Sequence, residues 1–370
     1  MDQQTKEVLT DNQVYLGVAP EDLKVFEFYK NPDAVPEKGF YTDFSGTRTR
    51  LSYFGLDEHP NETQIGRVPF PDDGLHAETI EYIAALHAVE SAGDSFTVVE
   101  LGAGYGPWVV FGARAAARKG IQKIHMIAVE ADRQRLALMH SNLSDNGLPV
   151  PNEKGHGGDA STSIEVVHGA ISDENGVTSF GAQSIHDWGA AAIENGSDID
   201  YRGVKVVTEQ VNTYTIESVL KDVQSVDFMH LDIQGFEYRA VRKSLDALQR
   251  KVRVLLIATH SRRIEGELIG LLYDNGWRLT YEKPCKFALA NGGDLTALTY
   301  LDGTQVWINT ALGSPAQTTE DPADILSAAN SEIKELKSTL HSCQREIVNL
   351  KSSTSWRVTA PLRKLKLLIS

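Results

Sequence analysis

The sequence predicts an α/β fold with a mostly parallel, doubly wound sheet, and three observations indicate it. Between Phe96 and Leu312, short apolar runs alternate with helical stretches, which is the pattern of repeated βαβ units. Most of these runs are continuously apolar and rich in β-branched residues, as parallel strands buried on both faces are. The first run leads through a glycine-rich turn directly into a helix, an arrangement that exposes backbone amides to a ligand at the carboxyl edge of the sheet.

The individual elements follow from the same patterns. Five runs are predicted to be parallel strands: Thr97–Leu101, Ile124–Val129, Ile164–Val167, Val226–Leu231 and Val252–Ile257. Helices are predicted over His76–Ala92, Trp108–Lys119 and Arg133–Asn146. Two later runs, Arg278–Lys286 and Gln305–Leu312, are expected to form an antiparallel strand pair at the end of the sheet.

The chain is expected to contain four zones. They are a loop-rich extension or cap (1–75), a main domain (76–313) with a lid or small β insertion (172–215), a linker with a coiled coil (314–350), and a basic amphipathic tail (351–370). The insertion is inferred because a connection of that length is unusual inside a compact domain.

The heptad pattern near the end of the chain predicts self-association. From Leu326 to Leu350 the apolar residues recur at alternating steps of three and four, which indicates a coiled coil and, most simply, a homodimer. The alternative is an amphipathic helix that lies on the core, although such a helix would tolerate less regular spacing. Residues 351–370 carry five basic and no acidic side chains among apolar ones. This tail suits either an anionic membrane surface or a protein partner.

Composition excludes several classes of protein. The formal net charge of −14 argues against a nucleic-acid binder. The content of hydrophobic residues, 41%, and of charged residues, 23%, is that of a globular protein and excludes a chain that is disordered throughout. Cys285 and Cys343 are too few for a disulfide framework or a thiolate zinc site. Residues Met1 to Gln4 have neither the basic nor the apolar segment of a secretory signal, so a cytoplasmic location is expected.

The glycine-rich turn has the pattern Glu-x-Gly-x-Gly-x-Gly, formed by Glu100, Gly102, Gly104 and Gly106. A dinucleotide fingerprint would need glycine at position 107, which is Pro107, so an NAD-dependent sugar oxidoreductase is disfavoured. The pattern resembles the first motif of class I methyltransferases that use S-adenosylmethionine (SAM). A carboxylate at position 100 suits the positively charged SAM and would repel a pyrophosphate.

A second acidic residue follows the next predicted strand. Glu130, with Ala131 after it, stands where a carboxylate can bind the paired hydroxyls of a ribose. The alternative is a solvated charge at the end of a strand.

Two later segments resemble the FkbM family of methyltransferases. Residues Ser163–Gly176, which include Gly169 and Ala170, are similar to the region of its third strand. Val226–Glu237 is similar to its signature, an apolar strand followed by Asp-x-(Glu/Gln)-Gly-x-Glu. The resemblance covers about residues 95–280 and implies a Rossmann-like class I methyltransferase domain, SAM as donor, and an O-methyl product on a sugar or polyketide-type hydroxyl.

The sequence departs from the commoner family pattern at two positions. His230 stands where Lys is frequent, and Gln234 stands where Glu is frequent. Separately, residues Ser353–Arg363 resemble the ends of bacterial glycosyltransferases of polysaccharide clusters, which points to a glycan acceptor and to a glycosyltransferase as a candidate partner.

The predicted cofactor site consists of residues from these motifs: Glu100, Gly102, Gly104, Gly106, Glu130, Ala131, Gly169 and Ala170. The predicted catalytic residues are Asp232, His260 and Glu237, at or just beyond the carboxyl ends of two adjacent strands.

Each catalytic candidate has an alternative role. Asp232 is a candidate base or metal ligand, and otherwise orients a turn or binds the SAM amine. His260 has an ordinary pKa suited to accepting a hydroxyl proton, and otherwise makes a hydrogen bond in the core. Glu237 caps a helix or reaches the site. The three could hold Mg²⁺, although no spacing requires it, and His230 is expected to be structural.

Two functional hypotheses remain open. The first is a SAM-dependent O-methyltransferase that modifies a sugar of a bacterial surface polysaccharide or glycosylated metabolite. The second is an inactive SAM-binding scaffold that docks to a glycan-assembly complex through its coiled coil.

Overall fold

The computed structural model of this 370-residue chain describes residues 17–56, 68–69, 75, 77–182, 205–287 and 299–313, the backbone of 191–193, and Lys337, Arg345 and Lys351. The chain divides into two units, residues 1–315 and 316–370. The heptad seam and the basic tail fall almost wholly outside the described residues and stay predictions.

The strands of the first unit, in chain order, are β1 (Phe40–Thr42), β2 (Arg48–Arg50), β3 (Ser95–Leu101), β4 (Lys123–Glu130), β5 (His156–Gly158), β6 (Thr162–His168), β7 (Ala170–Ile171), β8 (Gly176–Ala182), β9 (Ala191–Ile193), β10 (Val207–Tyr214), β11 (Val226–Leu231), β12 (Val252–Thr259), β13 (Trp277–Lys283), β14 (Lys286–Phe287), β15 (Thr299–Leu301) and β16 (Gly303–Asn309). The α-helices are α1 (Val25–Tyr29), α2 (Thr79–Ser91), α3 (Pro107–Lys119), α4 (Arg133–Asp145), α5 (Ile216–Val219), α6 (Glu237–Lys243), α7 (Leu245–Lys251) and α8 (Arg262–Asp274). Short 3₁₀ helices cover Asp22–Lys24, Leu51–Phe54 and Thr310–Leu312.

Eight strands form the central sheet in the order β13-β16-β12-β11-β3-β4-β6-β5. The five predicted strands β12, β11, β3, β4 and β6 run parallel to one another. Every residue of β11 is buried, because helices cover both faces of the sheet at its centre. The prediction of a mostly parallel Rossmann-like sheet is confirmed.

Two hydrophobic cores lie on the two faces of this sheet. One contains apolar side chains of α2, α3 and α4, such as Ile83, Val109 and Met139. The other contains side chains of α5 to α8, such as Val241 and Leu268. Helices on both faces make the sheet doubly wound, so the carboxyl edge of β11, β3 and β4 is left for a ligand.

The predicted antiparallel pair is present as β13 and β16. Strand β16 lies between β13 and β12 and pairs antiparallel with both. All its residues are buried for that reason. The opposite edge ends in the short antiparallel strand β5, which the sequence analysis did not identify because two of its three residues are glycine.

The segment predicted as a lid or β insertion contains strands of a second, four-stranded sheet with the order β7-β10-β8-β9. Strands β8 and β10 pair antiparallel along seven residues. Strand β7 follows β6 directly, so this small sheet begins next to the carboxyl edge of the central sheet.

The N-terminal zone packs through its aromatic residues, as their number in the sequence suggests. Phe26 and Phe44 are fully buried and meet edge to face, with ring centroids 5.1 Å apart. Arg50 binds both carboxylate oxygens of Asp145 at the end of α4. Within the described ranges, no helix has the length and apolar character needed to cross a bilayer.

Candidate active site

A cavity of about 350 Å³ lies where four parallel strands end. Its wall is formed by the turn after β3, by Glu130 and Ala131 at β4, by Gly169 to Ile171 beyond β6, and by His230 and Asp232 to Gln234 at β11. Phe180 of β8 and Trp108 of α3 add aromatic surface. The sheet topology therefore gathers segments that are far apart in the chain.

The residues predicted to bind the cofactor line this cavity, with the exception of Gly106. Gly106 is the N-cap of α3 with a φ of 73°. A Cβ atom there would lie 2.9 Å from Cγ of Met139. Glycine at this position therefore allows α3 to pack closely against α4.

The amide groups of the glycine-rich turn point into the protein. The N–H groups of Gly102 and Ala103 both donate to the carbonyl oxygen of Val129, at 3.0 and 2.9 Å. Gly104 N–H donates to Glu130 Oε2 at 2.6 Å, and Gly106 N–H donates to the carbonyl oxygen of Ala103. The expectation of amides exposed to a ligand is wrong at these positions, because the strand ends compete for the same donors. A turn with its amides occupied does not suit a phosphate.

Gly102 permits a close approach between two strand ends. Its φ is 77°, and a Cβ atom would lie 1.7 Å from the carbonyl oxygen of Asp232. The amide of Asp232 donates to the carbonyl oxygen of Leu101 at 2.9 Å. These contacts hold Asp232 against the beginning of the glycine-rich turn.

Glu100 has a structural role as well as a place in the cavity wall. Its Oε2 accepts hydrogen bonds from the amides of Trp108 and Val109, at 3.1 and 2.8 Å, and thereby caps the first turn of α3. Burial raises the pKa of Glu100 to about 7, against the opposing influence of His230. The carboxyl group therefore titrates near neutral pH.

Glu130 joins the turn to the end of β4. Besides Gly104, it accepts a hydrogen bond from the amide of Asp132 through Oε1, at 2.7 Å. Glu130 is only 3% exposed, which excludes the alternative of a solvated charge at the end of the strand. Burial raises the pKa of Glu130, and the nearby Arg135 opposes that shift.

The three predicted catalytic residues come together beside the cavity. Nδ1 of His260 lies 2.8 Å from Glu237 Oε1, and Nε2 of His260 lies 3.4 Å from Asp232 Oδ1. The side chains of His260 and Glu237 are 1% and 0% exposed, whereas that of Asp232 is 35% exposed. Glu237 also accepts from the amide of Gly235. His260 thus links a buried carboxylate to one that faces the cavity.

The charge of His260 differs from that of a free imidazole. Burial alone would lower its pKa, but the carboxylates of Glu237 and Asp232 outweigh burial and raise the pKa of His260 to about 10. A protonated imidazole cannot accept a proton from a hydroxyl group. The geometry therefore favours His260 as the positively charged partner of Asp232 over its predicted role as base.

Asp232 has one occupied and one available oxygen. Oδ1 accepts a hydrogen bond from Gln234 Nε2 at 3.0 Å and faces His260. Within the described part of the chain, Oδ2 has no hydrogen-bond partner. Enclosure raises the pKa of Asp232, while His260 opposes that shift. Gln234 can donate to Asp232 where the more frequent Glu could not, which gives this departure from the family pattern a physical role.

The same cluster offers ligand atoms for a metal ion. One atom each of Asp232, Glu237 and His260 lie within 4.8 Å of one another. Both nitrogens of His260 already face carboxylates, and Glu237 also holds a backbone amide. An ion bound by all three would have to replace these contacts, so metal dependence stays a prediction.

Several residues of the cavity wall were not predicted from the sequence, among them Glu81, Trp108 and Arg135. Glu81 is in the first turn of α2, where the Glu78–Glu81 capping box was a visible local signal. Nothing local to α2 indicates that it packs against β11.

The wall has four carboxylates (Glu81, Glu100, Glu130, Asp232) and two basic side chains (Arg135, His230), so it suits a ligand with positive charge.

Comparison with known proteins identifies relatives of this chain. The model of the Methyltransferase FkbM domain matches residues 100–282. A protein of Jannaschia sp. (strain CCS1), named as a methyltransferase, is 30% identical over 257 residues, which cover 68% of this chain and 86% of that protein.

Solved structures show weaker similarity. The METTL16 MTase domain is 14% identical, with a TM-score of 0.36 over 78% of this chain and 92% of that one. An O-methyltransferase from Bacillus cereus in complex with SAH is 11% identical, with a TM-score of 0.33 over 63% of this chain and 82% of that one. The family match and the Jannaschia relative carry the assignment: this chain belongs to the methyltransferases of the FkbM domain family.

Proposed function

We propose that this protein transfers a methyl group from SAM to a hydroxyl group of a sugar, in a bacterial surface glycan or a glycosylated metabolite. Membership in the family supports methyl transfer and SAM as the donor. The single observation that carries O-methylation is Asp232, a residue of the cavity wall beside the glycine-rich turn whose Oδ2 has no hydrogen-bond partner among the described residues.

The residues present fit the proposed donor. SAM has a positively charged sulfonium and ammonium group, and the cavity wall has an excess of carboxylates. The turn from Gly102 to Tyr105 would bind the central part of SAM, and Glu130 would bind its ribose. When bound, SAM supplies an electrophilic methyl group, and the protein has to bring an acceptor oxygen to it.

The protein's own contribution is to position the acceptor and remove its proton. Asp232 Oδ2 accepts the proton of the acceptor hydroxyl, and its raised pKa makes it a stronger base than a solvated carboxylate. His260 and Gln234 orient Asp232 through Oδ1, and Glu237 holds His260 from the buried side. Phe180 and Trp108 exclude water from the cavity wall.

The glycan acceptor and the cellular setting rest on the C-terminal sequence. We propose a cytoplasmic homodimer paired through residues 326–350. In this proposal the basic tail, 351–370, brings it to the inner membrane face or to a glycosyltransferase.

The function is tested by titrating the protein with SAM and with NAD, and then measuring turnover of SAM to S-adenosylhomocysteine with free, nucleotide-linked and polymeric sugars. We expect SAM to bind, and one class of sugar to gain the mass of a methylene group. Preference for NAD would reject the methyl donor. SAM binding without turnover on any acceptor would favour the scaffold hypothesis. Addition of a metal chelator to the same reaction tests the dependence on Mg²⁺.

A further inference from the structure

His230 has an unusual environment for a histidine inside a strand. His230 is only 5% exposed, yet it lines the cavity. Nε2 lies 3.3 Å from Glu81 Oε1, and the ring stacks on Trp108 with centroids 5.5 Å apart and an interplanar angle of 30°. Nδ1 is buried and has no hydrogen-bond partner among the described residues. Buried polar atoms are usually hydrogen-bonded, so an acceptor group of a ligand at Nδ1 would complete this environment.

The strand order shows which part of the proposed donor would come near His230. Glu130, the proposed ribose ligand, ends β4, and His230 is in β11. These strands lie on opposite sides of β3. If the ribose of the donor is bound at Glu130, the rest of the donor crosses the glycine-rich turn. Its other end, the methionine portion, therefore lies at β11.

The charges at this end of the cavity match a zwitterion. The methionine portion of SAM ends in a carboxylate and an ammonium group on the same carbon atom. His230 and Glu81 present a nitrogen and a carboxylate next to each other. The other basic side chain of the wall, Arg135, belongs to α4 and follows Glu130 in the chain.

We propose that His230 and Glu81 bind the charged head group of the methionine portion of SAM, with His230 Nδ1–H donating a hydrogen bond to its carboxylate and Glu81 facing its ammonium group. This inference rests on the proposed function and adds to it the residues that recognise one end of the donor. It also gives a binding role to a histidine that the sequence analysis expected to be structural.

The surrounding carboxylates favour the protonated form of His230. Burial alone lowers the pKa of His230, but Glu81 on α2, Glu100 on β3 and Asp232 beyond β11 outweigh it and raise that pKa. Glu100 is the residue of the adjacent strand β3 that pairs with His230. A protonated ring has N–H groups on both nitrogens, so it can donate to Glu81 and to a ligand at once.

Two substitutions distinguish the contributions of the two ring nitrogens of His230. In His230→Gln the amide nitrogen takes the place of Nε2 and keeps a donor toward Glu81, but no group remains at Nδ1. In His230→Asn the amide nitrogen takes the place of Nδ1, so a neutral donor toward the ligand remains. Thermal unfolding of both variants verifies that they are folded.

The test is calorimetric titration of wild type and both variants with SAM and with decarboxylated SAM, which lacks only the carboxylate. Loss of a charge-assisted hydrogen bond predicts that His230→Gln binds SAM about 10- to 100-fold more weakly than wild type. Decarboxylated SAM should bind wild type and His230→Gln equally. His230→Asn should bind SAM more tightly than His230→Gln.

Other outcomes overturn the inference. Equal loss of affinity for both ligands would make His230 a purely structural residue, and unchanged SAM affinity in folded His230→Gln would remove its role in binding. Unchanged affinity with a fall in turnover would make His230 a base. Failure of the wild type to bind SAM at all would instead refute the proposed function.

Discussion

At Asp232, neighbouring side chains occupy one carboxylate oxygen and leave the other to the cavity. Gln234 and His260 both lie on the Oδ1 side. His260 is in turn held by Glu237, whose side chain is fully buried. The chemistry at this residue thus depends on a chain of contacts that extends from the cavity into the core.

Replacement of Asp232, the proposed base, should affect turnover far more than SAM binding. We expect Asp232→Asn to lower kcat by about 10²- to 10⁴-fold, the usual contribution of a general base, because an amide cannot accept the acceptor proton. The affinity for SAM should change little. Steady-state kinetics and SAM titration of the same preparation check this, and equal losses in both would make Asp232 a cofactor ligand instead.

The charge of His260 predicts a pH-dependent contribution to stability. Its pKa rises from the ordinary 6.5 to about 10 on folding, so protonation stabilises the folded state fully below about pH 6.5. That contribution is lost as the pH rises through about 10. The difference in unfolding free energy between wild type and His260→Gln should therefore be largest at low pH and shrink toward high pH.

Urea unfolding at several pH values from about 6 to about 10 measures this difference. His156→Gln, an exposed histidine of β5, is the matched control and should show no such trend. A gap between wild type and His260→Gln that stays constant with pH would contradict the assigned charge of His260.

At the scale of elements, the turn between β3 and α3 holds the site together. Its amides bind the end of β4, the amide of Asp232 binds the end of β3, and its first glycine allows the carbonyl group of Asp232 to approach. The turn therefore sets the spacing between β11, β3 and β4 at the carboxyl edge of the sheet. A change in its backbone would move the cofactor residues and Asp232 together.

Substitutions in this turn should abolish SAM binding. Gly102→Ala would put a Cβ atom 1.7 Å from the carbonyl oxygen of Asp232, so the strand ends would have to separate. Gly104→Val would force a β-branched residue into a left-handed conformation with a φ of 54°. Gly93→Ala, with open space around the added Cβ and no positive φ, is the control. SAM titration checks all three, and wild-type affinity in either turn variant would show the turn assignment to be wrong.

At the scale of the whole molecule, the chain divides into two units after Pro315. The cavity and all residues proposed for chemistry belong to the first unit. The second unit contains the heptad pattern, whose helix would be marginally stable alone in water. Catalysis and assembly are therefore expected to be separable.

Deletion of residues 316–370 tests this separation. Methyl transfer to a soluble acceptor should remain largely intact, while the mass in solution should fall to that of a monomer. Light scattering and turnover of SAM on the truncated and full-length proteins measure both quantities. An unchanged mass would reject the coiled-coil dimer, and complete loss of turnover would show that the tail is needed for chemistry.

The sequence by itself determined the parallel strands, the antiparallel pair and the glycine-rich turn. These features leave local signals, because a buried strand needs a continuous apolar run and a turn such as that at Gly102 needs a positive φ. The position of Asp232 at the end of its strand also followed, since a strand's end can be read from the run that precedes it.

Only the tertiary structure decided how these residues are charged and which of them meet. Glu81 and His230 are 149 residues apart in the chain and 3.3 Å apart in space. The pKa of His260 is raised because Glu237 and Asp232 surround it, and its own segment contains no trace of either. A pKa depends on burial and on neighbouring charges, which are properties of the folded surroundings and not of the local sequence. The partner of each histidine was therefore set by the packing of α2 and α6 against the sheet.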